Sequence, residues 1–188
     1  MKKIKLTQDQ WALVDDEDYD RLNEDKWCAV RMQNDGKFRA LRHSPHRLKR
    51  QTKKIYMHRE ITNAPKGKMV DHINGNPLDN RKENLRVCTH QENSMNQGKS
   101  KKNCTSGYKG VSYHKKAKHM INEHSKPWQA RITFNRKTIN IYAYKTEEEA
   151  ARAYDKKAIE LFGEFAQLNF PEEWEHVLCS KKVVGHEK

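Results

Sequence analysis

Asp71, His72, Asn84 and Asn93 are the residues of this chain whose types and spacing could do chemistry. They lie within Asp71-His72-Ile73-Asn74-Gly75-Asn76-Pro77-Leu78-Asp79-Asn80 and the segment from Arg81 to Asn93 that follows it. Hydrolysis of a phosphodiester needs a hard cation to offset charge on the phosphate and the leaving oxygen, and a base to take a proton from water. The carboxylate of Asp71 and the amide oxygen of Asn93 suit Mg2+ or Mn2+, ions that keep several waters and also take phosphate oxygens. A neutral His72, with an ordinary histidine pKa of about 6.5, is a base matched to neutral pH. An Asp-His pair beside an Asn-Gly turn also occurs in ordinary hairpins. It is the set of four that points to this chemistry.

The elements around them must bring them to one point. Met69-Val70 read as the end of a strand, Asn74-Gly75-Asn76-Pro77 as a turn, and Leu85-Arg86-Val87-Cys88 as a returning strand. Thr89-His90-Gln91-Glu92 fits a capping box, so a helix starts at His90 with Asn93 in its first turns. Neighbours in a strand point to opposite faces, so Asp71 and His72 share a site only if the strand ends or bulges there. Upstream, Trp11 to Val14 reads as a strand and Asp15 to Lys26 as a helix with carboxylates at its N-terminal end. Trp27 to Met32 and Phe38 to Arg42 flank Asn34-Asp35-Gly36, a hairpin signal.

This strand–loop–strand–helix stretch resembles the HNH, or ββα-metal, endonucleases, especially the phage- and intron-encoded homing type. The resemblance rests on Asp71-His72, Asn84-Leu85-Arg86 and Gln91-Glu92-Asn93. It implies that Asp71 and Asn93 are metal ligands, His72 the general base, and Asn84 the residue that fixes the loop and orients His72. His58 and Arg59 also resemble the segment that precedes the motif.

A second module follows. Thr105 to Tyr113 leads into a strand, Trp128 to Phe134 alternates apolar and polar, and so does Thr138 to Ile141. Thr146-Glu147-Glu148-Glu149 is a capping box for a helix that runs to Phe162 and stops at Gly163. The helix covers one face of a three-stranded sheet. The other face carries Gln129, Arg131 and Thr133, with Arg131 as the candidate for base edges and Lys109, Lys115, Lys116, Arg136 and Lys137 for phosphates. Through Tyr108-Lys109-Gly110-Val111, Trp128, Ala130, the helix motif and Leu168-Asn169-Phe170-Pro171, this module resembles the AP2 DNA-binding domain, which implies major-groove binding by the sheet. Ser112, His114, Thr133 and Asn140 stand where such domains often carry arginine or tryptophan, which implies a different sequence preference.

Composition sets the frame. The 188 residues carry 38 Lys and Arg against 25 Asp and Glu, a formal charge of +13, and only 35% are hydrophobic. That suits two small domains rather than one large core. Residues 26–70 hold thirteen bases and two acids, and residues 98–145 twelve and one. Such blocks suit a polyanion. No apolar run approaches a membrane span, no signal-peptide core follows Met1, and the four cysteines form no C-x-x-C pair. The expectations are an α+β chain: a ββα-metal nuclease domain over 1–97, a linker over 98–104, an AP2-like domain of three antiparallel strands on one helix over 105–170, and a frayed tail over 171–188. One Mg2+ or Mn2+ serves as cofactor and double-stranded DNA is the partner, with no membrane and no structural zinc. The protein is cytoplasmic, and a monomer or weak dimer. A DNA-binding regulator with an inactive nuclease half, or an RNA-binding protein, are the alternatives.

Overall fold

A computed structural model describes residues 1–44, 53–98, 105–114 and 126–184, the last seven of these by backbone only. The proposed linker residues 99–104 and the phosphate candidates Lys115 and Lys116 lie outside the described residues. The chain divides into two units, Met1–Ser94 and Met95–Lys188, of mixed helix and sheet.

In the first unit, β1 (Lys2–Lys5) pairs with β2 (Trp11–Val14). The turn between them holds Gln8 and Asp9 at φ 58° and 52°, and Thr7 Oγ1 and the Gln8 amide bond the backbone of Ala29. Helix α1 (Asp16–Asn23) carries three acids in its first turn, where the helix dipole favours them. A sheet of β3 (Cys28–Arg31), β4 (Phe38–His43) and β5 (Lys54–Tyr56) follows, then α2 (Met57–Thr62). Ile4, Ala12, Val14, Leu22, Trp27, Ala29, Ala40 and Met57 form the core, and Trp27 Nε1 donates to Leu22 O at 2.8 Å. On this base stand β6 (Met69–His72), β7 (Leu85–Cys88) and α3 (His90–Met95), the ββα element.

In the second unit, β8 (Val111–Tyr113), β9 (Trp128–Phe134) and β10 (Lys137–Tyr144) form an antiparallel sheet in the order β10-β9-β8, packed on α4 (Glu147–Phe162). The turn into β10 holds Asn135 and Arg136 at φ 49° and 62°, the left-handed pair of a two-residue hairpin. Alternation in β9 buries Ala130 and Ile132 against Ala150, Ala151, Tyr154 and Ala158 of α4. The Asp155 carboxylate is fully buried and accepts from the backbone N–H of Asn169 and Phe170, tying the helix to the chain that follows it. Residues read as a tail instead form α5 (Pro171–Val184): proline opens its first turn, Glu172 and Glu173 follow, and Trp174 and Val177 pack on the core.

Gly110 is where that packing is tightest. Its φ is +75°, and a Cβ there would lie 2.1 Å from the Tyr154 ring and 2.9 Å from the Arg131 carbonyl oxygen. Gly110→Ala is expected to destabilise the second unit by about 2–4 kcal/mol, through overpacking and a left-handed alanine. Denaturant unfolding checks it, and an unchanged midpoint would show that the sheet and helix can move apart.

Candidate active site and nucleic-acid interface

The ββα element builds the site from its strand pairing. Asp71 faces Arg86 and His72 faces Leu85 across the β6–β7 ladder. Asp71 is 6% exposed, and Arg86 grips its Oδ2 through Nε at 2.8 Å and a terminal nitrogen at 2.7 Å. The guanidinium offsets the cost of burying the carboxylate and fixes its orientation. β6 ends at His72, the ending that placing neighbouring side chains in one site requires. There the chain turns, with Gly75 N–H donating to His72 O at 2.8 Å and Gly75 at φ +68°.

Asn84, 5% exposed, shuts this loop. Its Oδ1 accepts from Asn74 N–H at 2.9 Å and its Nδ2 donates to Asp79 O at 2.8 Å, while its own carbonyl accepts from Ile73 N–H. Both side-chain bonds go to backbone, so Asn84 acts on the loop and bonds no ring. A side chain that reaches the His72 ring is that of Asn80, whose Oδ1 lies 3.4 Å from Nε2. Sequence reasoning missed it, because Asp79-Asn80 before Arg81 reads as turn chemistry. Asn93 is half-buried on α3, its N–H donating to Thr89 O at 3.0 Å. The capping box is formed: Thr89 N–H donates to Glu92 Oε2 at 2.7 Å and Glu92 N–H to Thr89 Oγ1 at 3.2 Å.

His58, on α2, meets His72 edge to face, with ring centroids 5.2 Å apart, and stacks on Tyr56 at 5.5 Å. Burial pushes its pKa down to about 3, and its Nδ1 has no hydrogen-bond partner among the described residues. Burial also lowers the pKa of His72, an effect opposed by Asn80 and by the Asp71 charge. Both imidazoles are therefore neutral near pH 7.

Asp71 and Asn93 bring hard oxygen donors, and among the described residues no group of three or more His, Cys, Asp or Glu is placed so that it could hold a metal ion. A carboxylate plus an amide oxygen fits a hard cation that keeps several water ligands.

The second unit presents its own surface. Gln129, Arg131, Thr133, Arg136 and Lys137 are exposed; Asn140 pairs with Arg131 and Thr138 with Thr133 across β9–β10. A bulge between Ile141 and Ala143 leaves Tyr142 86% exposed. Between Lys126 and Lys145 there are five bases and no acid. Lys109 stands apart from this face: it is half-buried, its Nζ donates to Met95 O at 2.8 Å, and burial pulls its pKa down to about 8. That bond holds the ammonium against the backbone of its own unit.

The antiparallel strand pair, the Asp-His at its end and the capped helix after it define an HNH-type nuclease element. The chain belongs to the HNH endonuclease family: the family model described as HNH endonuclease matches residues 63–95. Protein 3.8 of Escherichia phage T7 is 37% identical over 104 residues, 55% of this chain and 78% of the phage protein. The uncharacterized HNH endonuclease L560 of Acanthamoeba polyphaga mimivirus is 38% identical over 122 residues, 62% of this chain, and the chain covers 58% of its length. For the C-terminal region the similarity is to plant transcription factors. The ethylene-responsive transcription factor WRI1 of Arabidopsis thaliana is 36% identical over 92 residues, 48% of this chain and 18% of that protein. HNH nucleases generally use a divalent metal. Among the described residues no helix is long and apolar enough to cross a membrane.

Proposed function

We propose that the chain is a site-specific, homing-type DNA endonuclease that hydrolyses phosphodiesters with one divalent cation, Mg2+ or Mn2+. Its nuclease domain spans 1–97, a linker 98–104 and an AP2-like DNA-binding domain 105–170. The observation that carries this reading is the end of β6, where a buried carboxylate and a buried imidazole follow one another on a loop closed by Asn84. Asp71 and Asn93 hold the cation, which when bound supplies positive charge to the phosphate and the departing oxygen. His72 takes the proton of the attacking water, Arg86 keeps Asp71 aimed, and bases of the 26–70 block hold the flanking backbone. In the second unit Arg131 reads base edges of duplex DNA with Gln129 and Thr133 beside it, while Arg136 and Lys137 engage phosphates. The protein works in the cytoplasm as a monomer or weak dimer.

Cleavage of a random-sequence duplex library, with cut ends mapped, tests both halves. With Mg2+ the full chain is expected to cut at a restricted set of sequences, and with EDTA not at all. Arg131→Ala should still cut but lose discrimination worth about 1–3 kcal/mol at the base it reads. No metal-dependent cutting of any sequence would leave a DNA-binding regulator with an inactive nuclease half.

A further inference from the structure

Asn80 is among the most deeply buried polar residues of the chain, 1% exposed. Its backbone is held from the core rather than from the loop. Leu13 of β2 donates to Leu78 O at 2.8 Å and accepts from Asn80 N–H at 2.8 Å, forming a parallel bridge with Asp79 between them. Asp79 itself, 2% exposed, is held by Arg81 at 2.7 Å and by the Asn74 amide at 2.9 Å. This stretch of loop is thus an added edge of the β1–β2 hairpin, and the Asn80 side chain leaves it at a fixed point.

From there Oδ1 faces His72 Nε2 at 3.4 Å, while Nδ2 is buried with no partner among the described residues. A buried amide with half its bonding capacity unmet is costly, and an apolar residue of the same size would avoid that cost. What the asparagine adds is an acceptor aimed at the ring. A neutral imidazole has one N–H, and the bond made by one nitrogen decides which nitrogen keeps the lone pair.

We infer that Asn80 is the positioning residue for His72: its Oδ1 accepts the Nε2–H, locks ring and tautomer, and leaves the lone pair on Nδ1. This rests on His72 being the base of the reaction proposed above. Asn84 and Asn80 then divide the work, the first fixing the loop backbone and the second the imidazole.

The test begins with the metal-free full chain. A long-range 15N–1H spectrum of the histidine rings, with His72 assigned by its loss in His72→Gln, is expected to show the Nε2–H tautomer. Asn80→Asp, which keeps the acceptor, should retain it, and Asn80→Leu should give a mixture of tautomers. The Nδ1–H form in the unaltered chain, or an identical His72 spectrum in Asn80→Leu, would overturn the inference without any variant having to cut DNA. In the Mg2+ assay Asn80→Leu is expected to lower kcat about 10–100-fold with KM unchanged, and Asn80→Asp to recover most of it. On a His72→Ala background Asn80→Leu should cost nothing more, because its effect runs through the ring. A further loss there would mark a merely structural role and refute the assignment. Full cutting by His72→Ala alone would instead defeat the choice of base, and the spectrum would still report on the Asn80 bond.

Discussion

His72→Ala is expected to lower DNA cleavage by about 10²–10⁴-fold while the protein still binds duplex DNA as before. The reasoning is local. His72 lies at the last position of β6 and contributes one buried ring, whereas the loop beyond it is closed by Asn84 and by the Leu13 bridge. Removing the imidazole takes away the proposed base and leaves those backbone bonds in place. Binding should persist because Arg131, Arg136 and Lys137, exposed on the second unit, are untouched by the change. The measurement is single-turnover nicking of supercoiled plasmid with Mg2+, beside a binding titration with Mg2+ replaced by Ca2+. Cutting at the unaltered rate would remove His72 from the reaction. A parallel loss of binding and cutting would instead mean that the ring supports the fold.

The ββα element was legible because its strands, turn and helix cap are signalled along one short stretch. Asp71, His72, Asn84 and Asn93 all fall between the start of β6 and the first turns of α3, so local turn and capping signals sufficed to put them on these elements. Asn80 and Arg86 show where that kind of reading stops. Asn80 matters through β2, which is remote in sequence, and nothing about an asparagine in an Asn-Gly-Asn-Pro loop distinguishes a turn former from a ring partner. Arg86 reads as one more base until the β6–β7 register sets it opposite Asp71. Lys109 is a similar case: lysines are mostly exposed, and only the tertiary fold turns this one toward the Met95 carbonyl.

The fold divides along the same line. β9 and both capping boxes were readable because strict alternation and a Thr–Glu pair three residues apart are local patterns. β1 was not, since Lys2-Lys3-Ile4-Lys5 offers one buried side chain and is a strand only because β2 pairs with it. Its turn uses Gln8 and Asp9 in left-handed conformations, which no glycine advertises. α5 was hidden by its weak apolar pattern and owes its order to Trp174 and Val177 meeting the core.

Acid should unfold the first unit early, and His58 is the reason. Its pKa in the folded protein is pushed down to about 3 by burial, with the charges of His72, Arg39 and Arg59 acting in the same direction, against about 6.5 in an unfolded chain. A group whose pKa is depressed on folding gives the unfolded state the greater proton affinity. Stability is therefore whole above pH 6.5 and falls continuously as pH drops toward 3, by an amount on the order of 3–5 kcal/mol for His58 alone. His72, also depressed by burial, adds to the loss with the same sign. His58→Phe keeps an aromatic ring against Tyr56 and His72, and it removes both the proton site and the unpartnered Nδ1. Urea unfolding of the metal-free protein at intervals from pH 7.5 to 4 should therefore show a steep decline in the unaltered chain and a shallower one in the variant. Equal slopes would mean that the His58 pocket admits water and solvates the imidazolium.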